Sequence, residues 1–268
     1  MTRLRRLDAE LVRRGLARSR EHAGQLVSAG RVTVAGQPAA KSATQVAAGA
    51  PIVVREDEDD PGWASRGAYK LLGALAAFEP SGLTVAGRRC LDAGASTGGF
   101  TDVLLRRGAM HVVAVDVGYG QLVWALQGDH RVTVLDRTNI RDLQPGQVVP
   151  APAVVVADLS FISLRLVLPA LARCAATDAD FVLMVKPQFE VGRRRLVPGG
   201  VVRDPALRAA AVREVAAAAW QLGLGVRGVT ASPLPGPSGN VEYFLWLFAG
   251  APELVEADLD RAAAEGPR

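Results

Sequence analysis

A chain of 268 residues, 49% hydrophobic and 22% charged with a formal net charge of +4, can bury one substantial core and a small accessory domain. The N-terminus, MTRLRRLDAELVRR, carries charges where a secretory signal needs an apolar stretch, and no run approaches the roughly eighteen apolar residues of a membrane span, so neither secretion nor membrane insertion is expected. Cys90 and Cys174 have no partner spacing for a metal or a disulfide framework and read as packed thiols; no metal is expected.

Charge is uneven along the chain. Residues 1–55 hold ten Lys and Arg against three Asp and Glu, a balance of +7 that exceeds the whole chain's +4. LDAELVRRGL places Leu7, Leu11, Val12 and Leu16 on one helical face and ends near Gly15, with arginines on the other face. SREHAGQLVSAG reads as a second helix, capped by Ser19, turning Ala23, Leu26 and Val27 inward and stopping at Gly30; RVTVAGQPA then alternates like a hairpin around Ala35-Gly36. Arg3, Arg5, Arg6, Arg13, Arg14, Arg18, Arg20, Arg31 and Lys41 concentrate on this small unit. They read as a phosphate-binding footprint or, equally, as a solvated charged face. The order RLDAELVRRGLARSREHAGQLVSAGRVTVAGQPAAK resembles the S-four-type RNA-binding domain over the whole segment. That resemblance implies a small α+β domain recognising structured RNA by shape and phosphate contacts. EDEDDPGWAS, residues 56–65, is acidic, carries Pro61 and Gly62, and is expected to be an interdomain linker.

Beyond it, strand and helix patterns alternate. CLDAGA, HVVAVDV, RVTVLD, AVVVADLS, DFVLMVKP, GVRGVTASP and NVEYFLWLFA are apolar, β-branched runs, most of them separated by helical patterns such as GGFTDVLLRRG and LRLVLPALARCAA. The expectation is an α/β fold with a mostly parallel, doubly wound sheet over residues 66–250 and a C-terminal tail over 251–268. Ligands of such sheets sit beyond the carboxyl ends of the strands, which singles out Asp92 with Gly94, Asp116, Asp136, Asp158 and Lys186.

The loop LDAGASTGGF, residues 91–100, is glycine-rich but neither of two phosphate loops. No lysine follows Gly98 or Gly99 as a P-loop requires, and the spacing Gly94, Gly98, Gly99 does not match the dinucleotide fingerprint. A ligand without a phosphate at this position, S-adenosylmethionine, fits. Gly94, Ala95, Ser96, Gly98, Gly99 and Phe100 would then surround it and Asp92 would support the loop. Asp116 would accept hydrogen bonds from the ribose hydroxyls, or else cap the following helix, and Asp136 or Asn139 would approach the adenine.

SRGAYKL, LDAGASTGGFTDVLL, VDVGYGQL, ADLSFISL, VKPQFEVG, PGGVVRDP and SPLPGPSGNVEYFLWL, together with the front domain, resemble the TlyA family, also called hemolysin A, from about residue 3 to 248. The resemblance implies a class I, seven-stranded, FtsJ-like methyltransferase that uses S-adenosylmethionine to methylate cytidine 2′-hydroxyls of ribosomal RNA in the cytoplasm, as a monomer or weak dimer. It also implies a Lys-Asp-Lys-Glu tetrad. By motif these are Lys70 in SRGAYKL, Asp158 in VADLSF, Lys186 in VKPQF and Glu242 in SGNVEYF. Asp60-Pro61-Gly62-Trp63-Ala64 departs from the arginine before and valine after the tryptophan that relatives often carry.

Lysine usage is consistent with the tetrad. Only Lys41, Lys70 and Lys186 occur among 31 basic residues, so arginine serves wherever a generic cation suffices. An amine, unlike a guanidinium, can be neutral, as a base must; Lys70 would be the cationic neighbour that favours that form in Lys186. Arg193, Arg194 and Arg195, after VKPQFEVG, are expected to contact RNA phosphate, and SPLPGPSGN to shape the entrance for the nucleotide. His22, His111 and His130 lack ligand spacing, and Trp124, Trp220 and Trp246 are expected in the core. Two other function classes remain. An RNA-binding protein without catalysis would need only the front domain, and a membrane-lytic protein would need an amphipathic or spanning segment that is not visible.

Overall fold

β-Branched runs separated by amphipathic helices build the larger part of the molecule, seen in a computed structural model that describes residues 4–17, 20–55, 61–192, 196, 199–236 and 238–267. Arg3, Arg18, Arg193, Arg194, Arg195, the Ser19 cap and the acidic residues 56–60 lie outside the described residues. The chain divides into two compact units, 1–65 and 66–268.

In the first unit, β1 (Leu4–Arg6), α1 (Leu7–Arg13), α2 (Arg20–Ser28), β2 (Val32–Val34), β3 (Gln37–Pro38), β4 (Gln45–Ala47) and β5 (Ile52–Val54) follow one another. β1 pairs with β4, and β2 lies between β3 and β5, all antiparallel. Leu7, Leu11, Ala23, Leu26, Val27, Val32 and Val46 close its core. Ala35 and Gly36 both have positive φ, +49° and +80°, as a two-residue turn between twisted strands requires.

In the second unit, α3 (Gly67–Phe78) leads into β6 (Arg89–Ala93), α4 (Gly99–Arg106), β7 (His111–Val115), α5 (Trp124–Gln127), β8 (Val132–Leu135) and β9 (Val154–Ala157). Then come α6 (Leu164–Cys174), β10 (Asp180–Val185), α7 (Pro187–Glu190), α8 (Pro205–Trp220), β11 (Leu224–Ala231), β12 (Tyr243–Ala249) and α9 (Glu256–Glu265). Seven strands form one sheet in the order β11-β12-β10-β9-β6-β7-β8. Only β12 runs against its neighbours. β9 and β10 are buried at every position, which is why they read as apolar runs and not as alternating ones, apart from Asp180 at the start of β10, which Arg88 and Trp246 hold. The strand order reverses beside β6, so the carboxyl ends of β6, β7, β9 and β10 open on one crevice.

The segment set apart as a C-terminal tail carries helix α9, which buries Leu259 and Ala262 in the main core. Two tryptophans depart from expectation. Trp246 is buried, but Trp124 is 85% exposed and Trp220 41% exposed. Helix α5, which carries Trp124, is a single turn that buries Leu126 and leaves Trp124 on its outer side.

Candidate active site

Four of the elements end on the same crevice. β6 ends in Ala93, and the chain then turns through Gly94 at φ +87°. A Cβ there would lie 2.7 Å from the backbone oxygen of Asp158, so the first-strand loop and the end of β9 touch through the absence of a side chain. Beneath the loop, Asp92 is fully buried and accepts a 2.7 Å hydrogen bond from Thr101 Oγ1, while its other oxygen has no partner among the described residues. Burial, reinforced by the Asp158 and Asp116 carboxylates, pushes the Asp92 carboxyl up to about 7. At the end of β7, Asp116 accepts from the backbone N–H groups of Ser96 (2.8 Å) and Gly118 (2.7 Å), tying the first two loops together.

A cavity of about 430 Å³ opens between these loops, and Gly94, Ser96, Asp116, Asn139 and Asp158 line it. Gln121, Ile140, Leu159, Ser160, Phe161 and Ile162 complete much of its wall. Among the described residues its walls carry two carboxylates and no Lys or Arg side chain. Ala95, Gly98, Gly99, Phe100 and Asp136, also singled out for this ligand, do not line the cavity. Ala95 is buried, Gly98 caps α4, Gly99 and Phe100 begin that helix, and the Phe100 ring packs 6.1 Å from Phe244. Asp136 accepts from Gly120 N at 2.8 Å and holds that loop, while Asn139 receives Arg141 N at 3.0 Å as well as facing the cavity.

Lys70, Asp158, Lys186 and Glu242 come together as two ion pairs. Lys186 follows β10, and its Nζ lies 2.5 Å from Asp158 at the end of β9 and 2.9 Å from Ser160 Oγ. Lys70, on α3, lies 2.5 Å from Glu242, the residue before β12. Both lysines and Glu242 are buried, and Asp158 is partly open to the cavity. Lys70, expected as the cationic neighbour of Lys186, has Glu242 as its own ion-pair partner. Gln188, two residues beyond Lys186, donates to the other Glu242 oxygen at 3.3 Å. Glu190 anchors the same short helix by accepting from Ser163 Oγ (2.5 Å) and Leu164 N (2.8 Å), and its burial raises its carboxyl.

Sequence patterns did not point to Ser160, Phe161 or Gln188. The first two sit inside DLSF and the third inside VKPQF, so the only available signal was adjacency to the tetrad. A second cavity of about 600 Å³ adjoins the first through Phe161 and Ile162, and Gln188 and Phe189 line it. Phe161 is 91% exposed, has φ +65°, and holds its ring 5.2 Å from that of Phe189.

The basic residues of the front unit are less free than their number suggests. Arg6 (2.8 Å) and Arg20 (3.0 Å) both hold Asp8, while Arg13 (2.6 Å) and Arg14 (2.8 Å) hold Glu10, with Arg5 at 3.8 Å from it. Asp8 and Glu10 are buried under these guanidinium groups, which keep both carboxyls low, Glu10 at about 2. Arg14 also donates to the backbone at Ala48 and Ala50, and Arg31 to that at Arg55. Lys41 is exposed. Fixed guanidinium groups half open to water, such as those of Arg6, Arg13 and Arg20, still present charge in a set geometry. Cys90 is buried, with its thiol pushed up to about 12, and Cys174 is also buried, so neither is a nucleophile. No cluster of metal-ligating side chains occurs among the described residues, and no described helix is long and apolar enough to cross a membrane.

Residues 63–248 match the FtsJ-like methyltransferase family and residues 5–52 match the S4 domain. The chain is 58% identical over the full length of both sequences to the 16S/23S rRNA (cytidine-2′-O)-methyltransferase TlyA of Mycobacterium tuberculosis. It is 38% identical to the putative rRNA methyltransferase YqxC of Bacillus subtilis, covering 97% of this chain and 93% of that one. A solved structure, a putative hemolysin from Streptococcus thermophilus, superposes with a TM-score of 0.77 at 36% identity, covering 99% of this chain and 96% of the other.

Proposed function

Since the chain belongs to the FtsJ-like methyltransferase family, joined to an S4 domain, we propose that it methylates the ribose 2′-hydroxyl of cytidine in ribosomal RNA with S-adenosylmethionine as donor. The observation that carries this reading is the pairing of Lys186 with Asp158 beside a cavity suited to that donor. Asp158 is paired with Lys186, but among the described residues Asp116 faces the cavity with only backbone and amide donors, which suits a positively charged ligand that has no phosphate. The close approach at Gly94 leaves room for it against the backbone. Asp116, Asn139 and Ser96 are the residues that would hold its ribose and base. When bound it supplies a methyl group already activated on a sulfonium, so this chain's task is alignment and the removal of one proton.

A sugar hydroxyl is a weak nucleophile, and its proton becomes acidic only as the new C–O bond forms. Lys186 Nζ, fixed by Asp158 and Ser160, directs the hydroxyl oxygen towards the cavity. Asp158 lies one hydrogen bond behind the amine, so the lysine–carboxylate pair receives the released proton. Lys70 and Glu242 fix the neighbouring wall, and Gln188 links that pair to the second cavity, which takes the nucleotide. The front unit, with its arrayed arginines, anchors the phosphate backbone, and residues 56–65 join the two units as a linker. Such a protein acts where ribosomes are assembled, in the cytoplasm.

The test is transfer of labelled methyl to purified ribosomal subunits, followed by mapping of alkali-resistant linkages. Incorporation at cytidine 2′-oxygens is expected from the full chain. A fragment of residues 66–268 is expected to bind S-adenosylmethionine with unchanged affinity but to lose activity on subunits. Label on a base, or full activity in the fragment, contradicts the catalytic and the RNA-anchoring assignments respectively.

A further inference from the structure

We propose that Gln188 reads the base of the target nucleotide, selecting cytidine over uridine by accepting a hydrogen bond from the exocyclic amine. This deepens the ribose-methylation reading and rests on it. Gln188 Nε2 donates to Glu242 Oε1 at 3.3 Å. Turning the amide over would set two oxygens against each other, and Glu242 cannot swing away because Lys70 holds its other oxygen at 2.5 Å. The amide orientation is thereby set by its surroundings. Gln188 Oε1 is left as a buried acceptor with no donor among the described residues, an arrangement that costs free energy until a ligand supplies one.

The residue lines the cavity walled by the Phe161 and Phe189 rings with Ile162 and Leu166, and does not line the cofactor cavity. The side chains of Arg141 and Ser163 line it too, but the first only donates and the second both donates and accepts, and Gln188 Oε1 is the unpaired acceptor there among the described residues. Flat apolar walls with a few placed polar groups are how an extruded base is held and identified. A cytidine inside an RNA chain has two donor groups, the ribose hydroxyl and the N4 amine. The hydroxyl belongs to Lys186 and Asp158, so the amine is the donor left for Gln188. Uridine carries a carbonyl oxygen at that place, which would face Oε1 with no proton between them. Short helix α7 carries both Lys186, at its N-cap, and Gln188, and Glu190 pins it to Ser163 and Leu164. Base selection and hydroxyl alignment are thus made by one rigid turn.

The experiment compares kcat/KM of the full chain on ribosomal subunits assembled from transcribed RNA with cytidine or uridine at the methylated position. The wild type should favour cytidine by at least about 100-fold, a floor below the roughly 10⁴-fold seen when a site built for a hydrogen bond meets an analogue lacking it. Gln188→Met, similar in volume but without the acceptor, should narrow the preference to within about threefold, chiefly by slowing cytidine, with calorimetric cofactor affinity unchanged. Gln188→Leu repeats the measurement should the methionine variant fold poorly. A cytidine preference as large in these variants as in the wild type overturns this proposal alone. A wild type that methylates no ribose overturns the functional reading and this proposal with it.

Discussion

Removing either member of the Lys70–Glu242 pair should destabilise the second unit far more than removing both. The Lys70 side chain is 8% exposed and that of Glu242 1%, at 2.5 Å separation, so each charge depends on the other for the solvation it lost on burial. Breaking such a pair from one side typically costs about 3–5 kcal/mol. Lys70→Met should fall at the upper end, because Glu242 would keep only the long bond from Gln188. Glu242→Gln should cost about 3 kcal/mol, since the amide oxygen can still face the ammonium. In Lys70→Met/Glu242→Gln no uncompensated charge remains, and stability should return to within about 1–2 kcal/mol of the wild type. Urea unfolding followed by near-ultraviolet circular dichroism, closed as a double-mutant cycle, measures the coupling. Methyl transfer by the double variant should stay abolished while its stability recovers, which separates packing from chemistry. Single costs below about 1 kcal/mol, or costs that simply add in the double variant, would refute the buried-pair reasoning.

Lys186→Arg keeps a positive charge but cannot supply an amine and places a wider planar head between Asp158 and Ser160. It should lose methyl transfer by about 100-fold or more while cofactor affinity measured by calorimetry stays within about twofold, a loss of the order seen when a proton-managing side chain is removed. Gly94→Ala combines a positive φ with a Cβ 2.7 Å from a backbone oxygen that cannot step aside, and should cost about 1–3 kcal/mol in thermal or chemical unfolding and weaken S-adenosylmethionine binding. The Asp92 carboxyl, pushed from an ordinary 3.8 to about 7, binds its proton more tightly in the folded state. The unliganded protein should therefore lose stability as pH rises from about 4 to about 7, with no further loss from this group above that range, and Asp92→Asn should flatten the profile. Unchanged slopes in the variant would remove Asp92 as the source.

Most of the sheet was legible because strands covered on both faces must be continuous apolar runs, as VVVA in β9 and FVLMV in β10 are. The strand-end rule then pointed to Asp116, Asp158 and Lys186 without any knowledge of side-chain geometry. Other features depend on contacts that spacing does not encode. Glu242 lies 172 residues from Lys70, and only motif resemblance, not periodicity, linked them. Gln188 acquires its role from Glu242, 54 residues away, which fixes its amide. Asp8 and Glu10 look like ordinary helix-surface acids, yet five arginines close over them and turn an apparently free basic face into an ordered one. Trp124 satisfied a helical spacing, but the one-turn helix that carries it turns Leu126 inward and leaves Trp124 outside. The two buried residues of α9, Leu259 and Ala262, sit in a stretch whose charges dominate its composition, so the helix's docking on β11 was not visible.

The central claim is that the methyl acceptor is a ribose oxygen held by Lys186 and Asp158. Ribosomal subunits carrying 2′-deoxycytidine at the target, otherwise identical to the natural substrate, test it most directly when incubated with the full chain and labelled S-adenosylmethionine. The account predicts binding comparable to that of the natural subunit and no label at that nucleotide. Methylation of the same deoxynucleotide would place the acceptor on the base and contradict the account.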